Sequence, residues 1–175
     1  MPLLNSVTTP YAEAFLQVSE ELNQTEEIVF QSKEILSLLK DSPELEKALA
    51  SPILEKDSKK TIIVELFSGK INQSLLNLLK LLADRQRIGI LVPILERFLE
   101  LYRENSNIAL ATVTSAVELS EEQINLLSKK ISAIAGTEKL ELVTKTDSTL
   151  IGGFVASVGS KVIDASLASQ IRKLG

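Results

Sequence analysis

Residues 108–136 read IALATVTSAVELSEEQINLLSKKISAIAG, and the hydrophobic period changes inside them. From Ile108 to Leu119 the run is rich in alternating Val, Thr and Ala, the composition of a half-buried strand. From Ser120 onward it has a serine cap, Glu121 and Glu122 in a first turn, Lys129 and Lys130 later, and Gly136 at the end. That is a helix with both ends marked. A strand followed directly by such a helix opens an α+β segment, so the fold depends on whether the residues before it follow the same plan.

They do not. From Ser6 to about Asn105 apolar residues recur every three or four positions, broken by short polar or proline-containing joints, which is the pattern of packed helices. Six are expected. The first covers 9–23, with Tyr11, Ala14, Phe15, Val18 and Leu22 on one stripe; the second covers 25–40, with Thr25 as N-cap and Ile28, Ile35, Leu36 and Leu39 inward. Ser42-Pro43-Glu44 opens a short third helix to Ala50, Ser42 accepting a free N–H and Pro52 ending it. The fourth covers 55–67 and stops at Gly69, the fifth 72–87, the sixth 90–104 with Pro93 in its first turn.

Beyond Gly136, KLELVTKT alternates, LIGGFVASV resumes an apolar strand, SKVID makes a third short run, and a last helix is expected over 165–174. The architecture is therefore α+β: an N-terminal six-helix bundle over 1–105, then a smaller C-terminal domain over 106–175 with a short mixed sheet and two helices.

Composition narrows the chemistry. With 45% apolar residues in 175, the chain can bury a core. Its 19 basic and 23 acidic residues include no long like-charge block, so no nucleic-acid footprint is present. Up to Asn105 there are 12 basic and 16 acidic residues and beyond it 7 of each, so the whole net charge of −4 lies in the helical half, the half a basic partner would visit. No cysteine or histidine is present, which removes disulfides, thiol nucleophiles, most zinc and haem sites and the usual proton shuttle; no metal or cofactor is expected. No apolar run approaches the roughly 18 residues of a membrane span, and MPLLNSVTTPYAEAF has neither a basic secretion start nor transit-peptide arginines, so a reducing aqueous compartment is expected.

The glycine-rich stretch near the C-terminus is the first candidate site. Gly153 and Gly159 are six apart, Ser160 precedes Lys161, and a strand follows, so the spacing and context of a phosphate loop are missing. The structural reading fits better: Gly159 at a positive-φ hairpin position, Gly152 and Gly153 at a bulge or close backbone approach, Asp164 capping the last helix. Asp84, Arg85 and Arg87 form a charged cluster, but without histidine or a second close carboxylate they read as a solvated helix end. Asn23-Gln24-Thr25 and Asn72-Gln73-Ser74 match a glycosylation acceptor pattern but read as helix starts.

The fifth helix is more informative. At 100° per residue, Leu75, Leu76, Leu78, Leu79, Leu81, Leu82 and Ala83 cover an arc of about 220°, while Gln73, Asn77, Lys80, Asp84 and Arg87 form a polar stripe. A rim helix needs an arc of only ~100°. The helix is therefore either central in the core, or half core and half docking groove.

PYAEAF in the first helix, ADRQRI closing the fifth, TVTSAVELSEEQ at the junction, and TDSTLIGGFVASVGSKVIDASL with its spacing of Asp147, Gly152-Gly153, Gly159 and Ile163-Asp164 together carry a resemblance over the whole chain. It resembles the delta subunit of bacterial and plastid F-type ATP synthases, the family of the mitochondrial oligomycin-sensitivity-conferring protein. It departs at Ala165, where many relatives place glycine.

The resemblance implies a non-catalytic stator connector, its helical bundle on top of the catalytic head and its C-terminal part on the b-type peripheral stalk, holding the head still while the rotor turns. It also implies that an amphipathic helix from the N-terminus of a head alpha subunit lies between the first and fifth helices, on Tyr11, Ala14, Asn77, Leu78, Leu81 and Asp84. Val18 is added from helical spacing. Leu167, Ile171 and Leu174 on the last helix are candidates for stalk contact or core. The location implied is peripheral, on the cytoplasmic or stromal face of a bacterial inner or thylakoid membrane, with no insertion. The alternative on composition alone is an α+β adaptor of another assembly.

Overall fold

The computed structural model describes residues 2–159 and 161–164, and the chain divides into two compact units, Met1–Tyr102 and Arg103–Gly175. The first contains α1 (Pro2–Glu21), α2 (Thr25–Asp41), α3 (Pro43–Ala50), α4 (Lys56–Phe67), α5 (Gln73–Asp84), a 3-10 turn at Ile88–Ile90, and α6 (Leu91–Asn105), whose last residues pass into the second unit. Their inward faces share one core that includes Phe15, Ile28, Ile63, Leu75, Leu79 and Phe98. Within it the rings of Phe15 and Phe98 meet at 5.0 Å and 48°, the tilted arrangement aromatic pairs favour.

Several expected boundaries move, each for a local reason. The first helix begins at Pro2 rather than Thr9 and runs straight through Pro10. The buried stripe explains this: Thr8, upstream of the proline, is as buried as Ala12, Phe15, Leu16 and Ser19, so the inward face is already in register before Pro10. That face also differs from the expected one, since Ala14, Val18 and Leu22 point outward. Thr25 is the first helical residue of α2 and not its cap; its hydroxyl pairs with Ser19 Oγ at 3.2 Å, and Gln24 holds the cap position. Ser42 sits at the N-cap of α3 without a side-chain cap bond.

The fifth helix ends at Asp84, three residues early. Gln86 takes φ +56, the Gln86 N–H returns to Ala83 O at 3.0 Å and the Arg87 N–H to Leu82 O at 2.7 Å. This is a Schellman ending with glutamine at the left-handed position that glycine usually fills.

In the second unit β1 (Ala109–Ser115), α7 (Glu121–Ala135), β2 (Leu140–Thr146), β3 (Phe154–Val158) and β4 (Lys161–Asp164) follow in order. The sheet order is β2-β1-β3-β4, with β1 and β2 parallel and the other two pairings antiparallel, so the sheet is mixed. The parallel pair needs a crossover, and α7 supplies it. Ser120 accepts from Gln123 N while Gln123 Oε1 accepts from Ser120 N, a complete capping box, and Gly136 closes the helix at φ +73. Leu127 and Ile131 of α7 join Ala111, Val113, Ala156 and Val158 in a small core.

Gly152 and Gly153 have φ +64 and +66 in the loop before β3, so they form a left-handed pair ahead of the strand and not a bulge within it. Gly159 has φ +60 between the paired residues Val158 and Lys161. Asp164 is the last residue of β4. The helix it was expected to cap, and with it Leu167, Ile171 and Leu174, lies outside the described residues.

Candidate functional site

The arc of α5 is largely spent on the core: Leu75, Leu76, Leu78, Leu79, Leu82 and Ala83 are all buried. Leu81 is the exception, 41% exposed at the edge of the arc. On α1, Val18 is 43% exposed, one turn beyond the exposed Ala14. Between the two helices lies an open apolar groove of about 280 Å³. Tyr11, Ala14 and Val18 line it from α1, and Asn77, Leu78 and Leu81 from α5.

The periodicity of each helix produces this arrangement. Positions 11, 14 and 18 follow the three- and four-residue rows of α1, as 77, 78 and 81 do on α5, so each set forms one ridge. Where the two ridges would interlock, Ala14 offers only a methyl group, and the space it does not fill is the groove. The floor is firm: Phe15 also lines it, is almost fully buried, and rests against Phe98 in the core.

One end is polar. Arg87 Nη1 donates to Tyr11 Oη at 2.9 Å, and the guanidinium carbon lies 5.8 Å from the Tyr11 ring centre, within cation–π range. Along the α5 rim, Gln73 Nε2 donates to Asn77 Oδ1 at 2.9 Å. The groove is therefore apolar along its length, with hydrogen-bonding groups at its margin, as suits the apolar stripe of an amphipathic helix.

Of the seven residues expected from the sequence, six line the groove and Asp84 does not. Its carboxylate is held by Lys60 Nζ at 2.9 Å, on the α4 side of α5. The groove also uses Phe15 and Ser74, which had not been assigned to it. Helical spacing could have found both, since Phe15 lies one turn from Tyr11 and Ser74 one turn from Leu78. The Arg87–Tyr11 bond had no local signal, because its partners are 76 residues apart.

Nothing in this groove performs acid–base or metal chemistry: its lining is aliphatic, aromatic and amide, with one serine and one phenol. Among the described residues no three His, Cys, Asp or Glu side chains cluster as a metal site requires. Among the described residues, the carboxyl moved clearly from its ordinary value is Asp147, in the exposed turn before β3. It is held below 3.8 by the Thr149 hydroxyl at 2.6 Å and the Thr149 amide at 2.9 Å.

A family model described as the ATP synthase delta (OSCP) subunit matches residues 7–175. The protein named ATP synthase subunit delta in Prochlorococcus marinus strain AS9601 is 78% identical over 175 residues, covering 100% of this chain and 97% of that protein. Its namesake in strain MIT 9303 is 61% identical, covering 100% and 96%. A chain of the Toxoplasma gondii mitochondrial ATP synthase hexamer superimposes with a TM-score of 0.75 at 20% identity, over 96% of this chain and 94% of that one, a likeness of fold.

Proposed function

The chain belongs to the ATP synthase delta (OSCP) subunit family, the non-catalytic stator component of that complex, and from that premise we propose that its α1/α5 groove seats an amphipathic helix from the N-terminus of a head alpha subunit. Membership sets aside an adaptor of an unrelated assembly and gives the chain a peripheral place on the membrane-bound complex. No helix among the described residues is long and apolar enough to cross a membrane.

One observation carries the groove reading: the exposed apolar side chains Leu81 and Val18 line one gap together with the small Ala14 and the buried Phe15. A guest helix placing a large apolar side chain over Ala14 would fill the gap, and its burial would add about 1.5–3 kcal/mol. Tyr11 with Arg87 at one end, and Asn77 on the rim, would fix its register through polar contacts.

In this reading residues 1–105 hold the head and residues 106–175 hold the C-terminal ends of the b-type stalk helices, on the cytoplasmic or stromal face of the membrane. The stalk-binding residues would include Leu167, Ile171 and Leu174. Torque between rotor and head loads this joint at every turnover. Two docking sites on one chain resist it, because release of one leaves the other holding it at high effective concentration.

Calorimetric titration of the full chain with the alpha-subunit N-terminal peptide tests the proposal. Saturable binding that protects amides of α1 and α5 from hydrogen exchange is expected. Binding that protects neither helix would exclude the groove as the seat.

A further inference from the structure

Helix α1 carries two apolar faces side by side. At 100° per residue the buried Thr8, Ala12, Phe15, Leu16 and Ser19 cover an arc of about 100°. Beside it Val7, Tyr11, Ala14, Val18 and Leu22 cover a further arc of about 80°, and most of that arc is open to solvent. Val7 is 39% and Leu22 51% exposed. Leu22 stays in the row because its N–H still reaches Val18 O at 3.1 Å, one turn past the end of the regular helix. A helix that packs only on its own bundle needs the first arc alone.

The second arc is longer than the groove. Tyr11, Ala14 and Val18 line the groove, whereas Val7 and Leu22 lie one turn beyond it at either end. From Val7 to Leu22 the row measures about 22 Å, roughly four turns. A guest of two turns would fill the gap and leave both ends of the row wet.

The charge beside the row is one-sided. From Pro2 to Glu21 the helix has no lysine or arginine, and its exposed polar side carries Glu13, Gln17, Glu20 and Glu21. Glu21 borders the apolar row, where its Oε1 accepts from Gln17 Nε2 at 3.1 Å. The α5 margin offers the neutral amides of Gln73 and Asn77, and Arg87 is drawn to Tyr11 at the far end. The end of the row at Val18 and Leu22 is therefore negative.

We propose that the docking surface on α1 runs from Val7 to Leu22 and takes about four turns of the alpha-subunit N-terminal helix, with basic side chains of that helix beside Glu20 and Glu21. This rests on the α1/α5 groove as the seat of that helix. Val7 and Leu22 would each cover an apolar side chain of the guest, and the glutamates would choose which of its ends lies over Leu22.

Calorimetric titration of the full chain with the alpha-subunit N-terminal peptide tests this, using Val7→Ser, Leu22→Ser and a Glu20→Gln, Glu21→Gln double variant, with Ala14→Asp as the control for the groove itself. Leu22→Ser should weaken binding by about tenfold and Val7→Ser by about fivefold. The double variant should weaken it by about threefold at low salt, with the loss disappearing at high salt. Melting temperatures should stay at the parent value, because these side chains lie outside the core. Weakening by Ala14→Asp with parental binding by both serine variants would end the contact at the groove and overturn the longer surface while leaving the groove reading intact. Parental binding by the double variant at low salt would overturn the basic end. No effect of Ala14→Asp, or no binding by the parent chain, would remove the groove reading and this inference with it.

Discussion

Among the described residues, the helical unit gathers 22 buried apolar side chains into one cluster, while the sheet unit gathers six around two faces of contact, a helix and a strand pair. The first has apolar surface to spare and leaves it open between α1 and α5. The second, among its described residues, is fixed mainly by backbone pairing, with β1 bonded on both sides. A helix bundle chooses which side-chain ridges to expose without disturbing its hydrogen bonds, because those bonds are internal to each helix. A central strand lacks that freedom, since its neighbours occupy both edges. This contrast explains why a clear groove is found in the helical unit.

The sharpest way to separate the two is to remove Phe98, fully buried and in contact with Phe15. Phe98→Ala should cost the helical unit about 3–5 kcal/mol and loosen the groove floor. Hydrogen exchange should show protection lost over α1 to α6 and kept over β1 to β3; equal loss in both would mean that they do not unfold separately.

Next in size is Ala14→Asp, which puts a charge into the apolar seam at an exposed position. It should weaken binding of the alpha-subunit peptide by about 2–3 kcal/mol, with the melting temperature unchanged. Calorimetry and thermal unfolding measure the two halves of that statement.

A smaller effect of opposite sign is expected at Ser32. Its hydroxyl is fully buried and has no partner among the described residues. Ser32→Ala should stabilise the helical unit by about 1 kcal/mol, read from the midpoint of urea unfolding.

Smallest of all is the turn held by Asp147 in the sheet unit. Its carboxyl titrates below 3.8 because the folded turn supplies two donors from Thr149. The folded value is the lower one, so the stabilisation is present above about pH 3.8 and is lost as the pH falls through the folded value. Thr149→Val removes the hydroxyl donor and should move the Asp147 titration up toward 3.8 in a carboxyl NMR titration, with no change in the helical unit.

Sequence legibility followed the range of the interactions. The ends of α7 were readable because Ser120, Gln123 and Gly136 act within a few residues. The start of α1 was not, because Pro10 imitates a first-turn proline while Thr8, before it, is held by the distant core. The end of α5 was missed because glutamine, not glycine, takes the left-handed turn at Gln86. In the groove, residues at helical spacing were readable from the pattern and the family resemblance together. Asp84 was lost to Lys60, 24 positions away in sequence, and the Arg87–Tyr11 bond was invisible for the same reason.

The most direct test of the central claim is ATP synthesis driven by an imposed proton gradient in membranes stripped of this subunit. The parent chain should restore coupled synthesis, and the folded Ala14→Asp variant should fail to do so at concentrations where the parent chain saturates. Full restoration by Ala14→Asp, or full coupling with the chain left out, would contradict a stator seated through the α1/α5 groove.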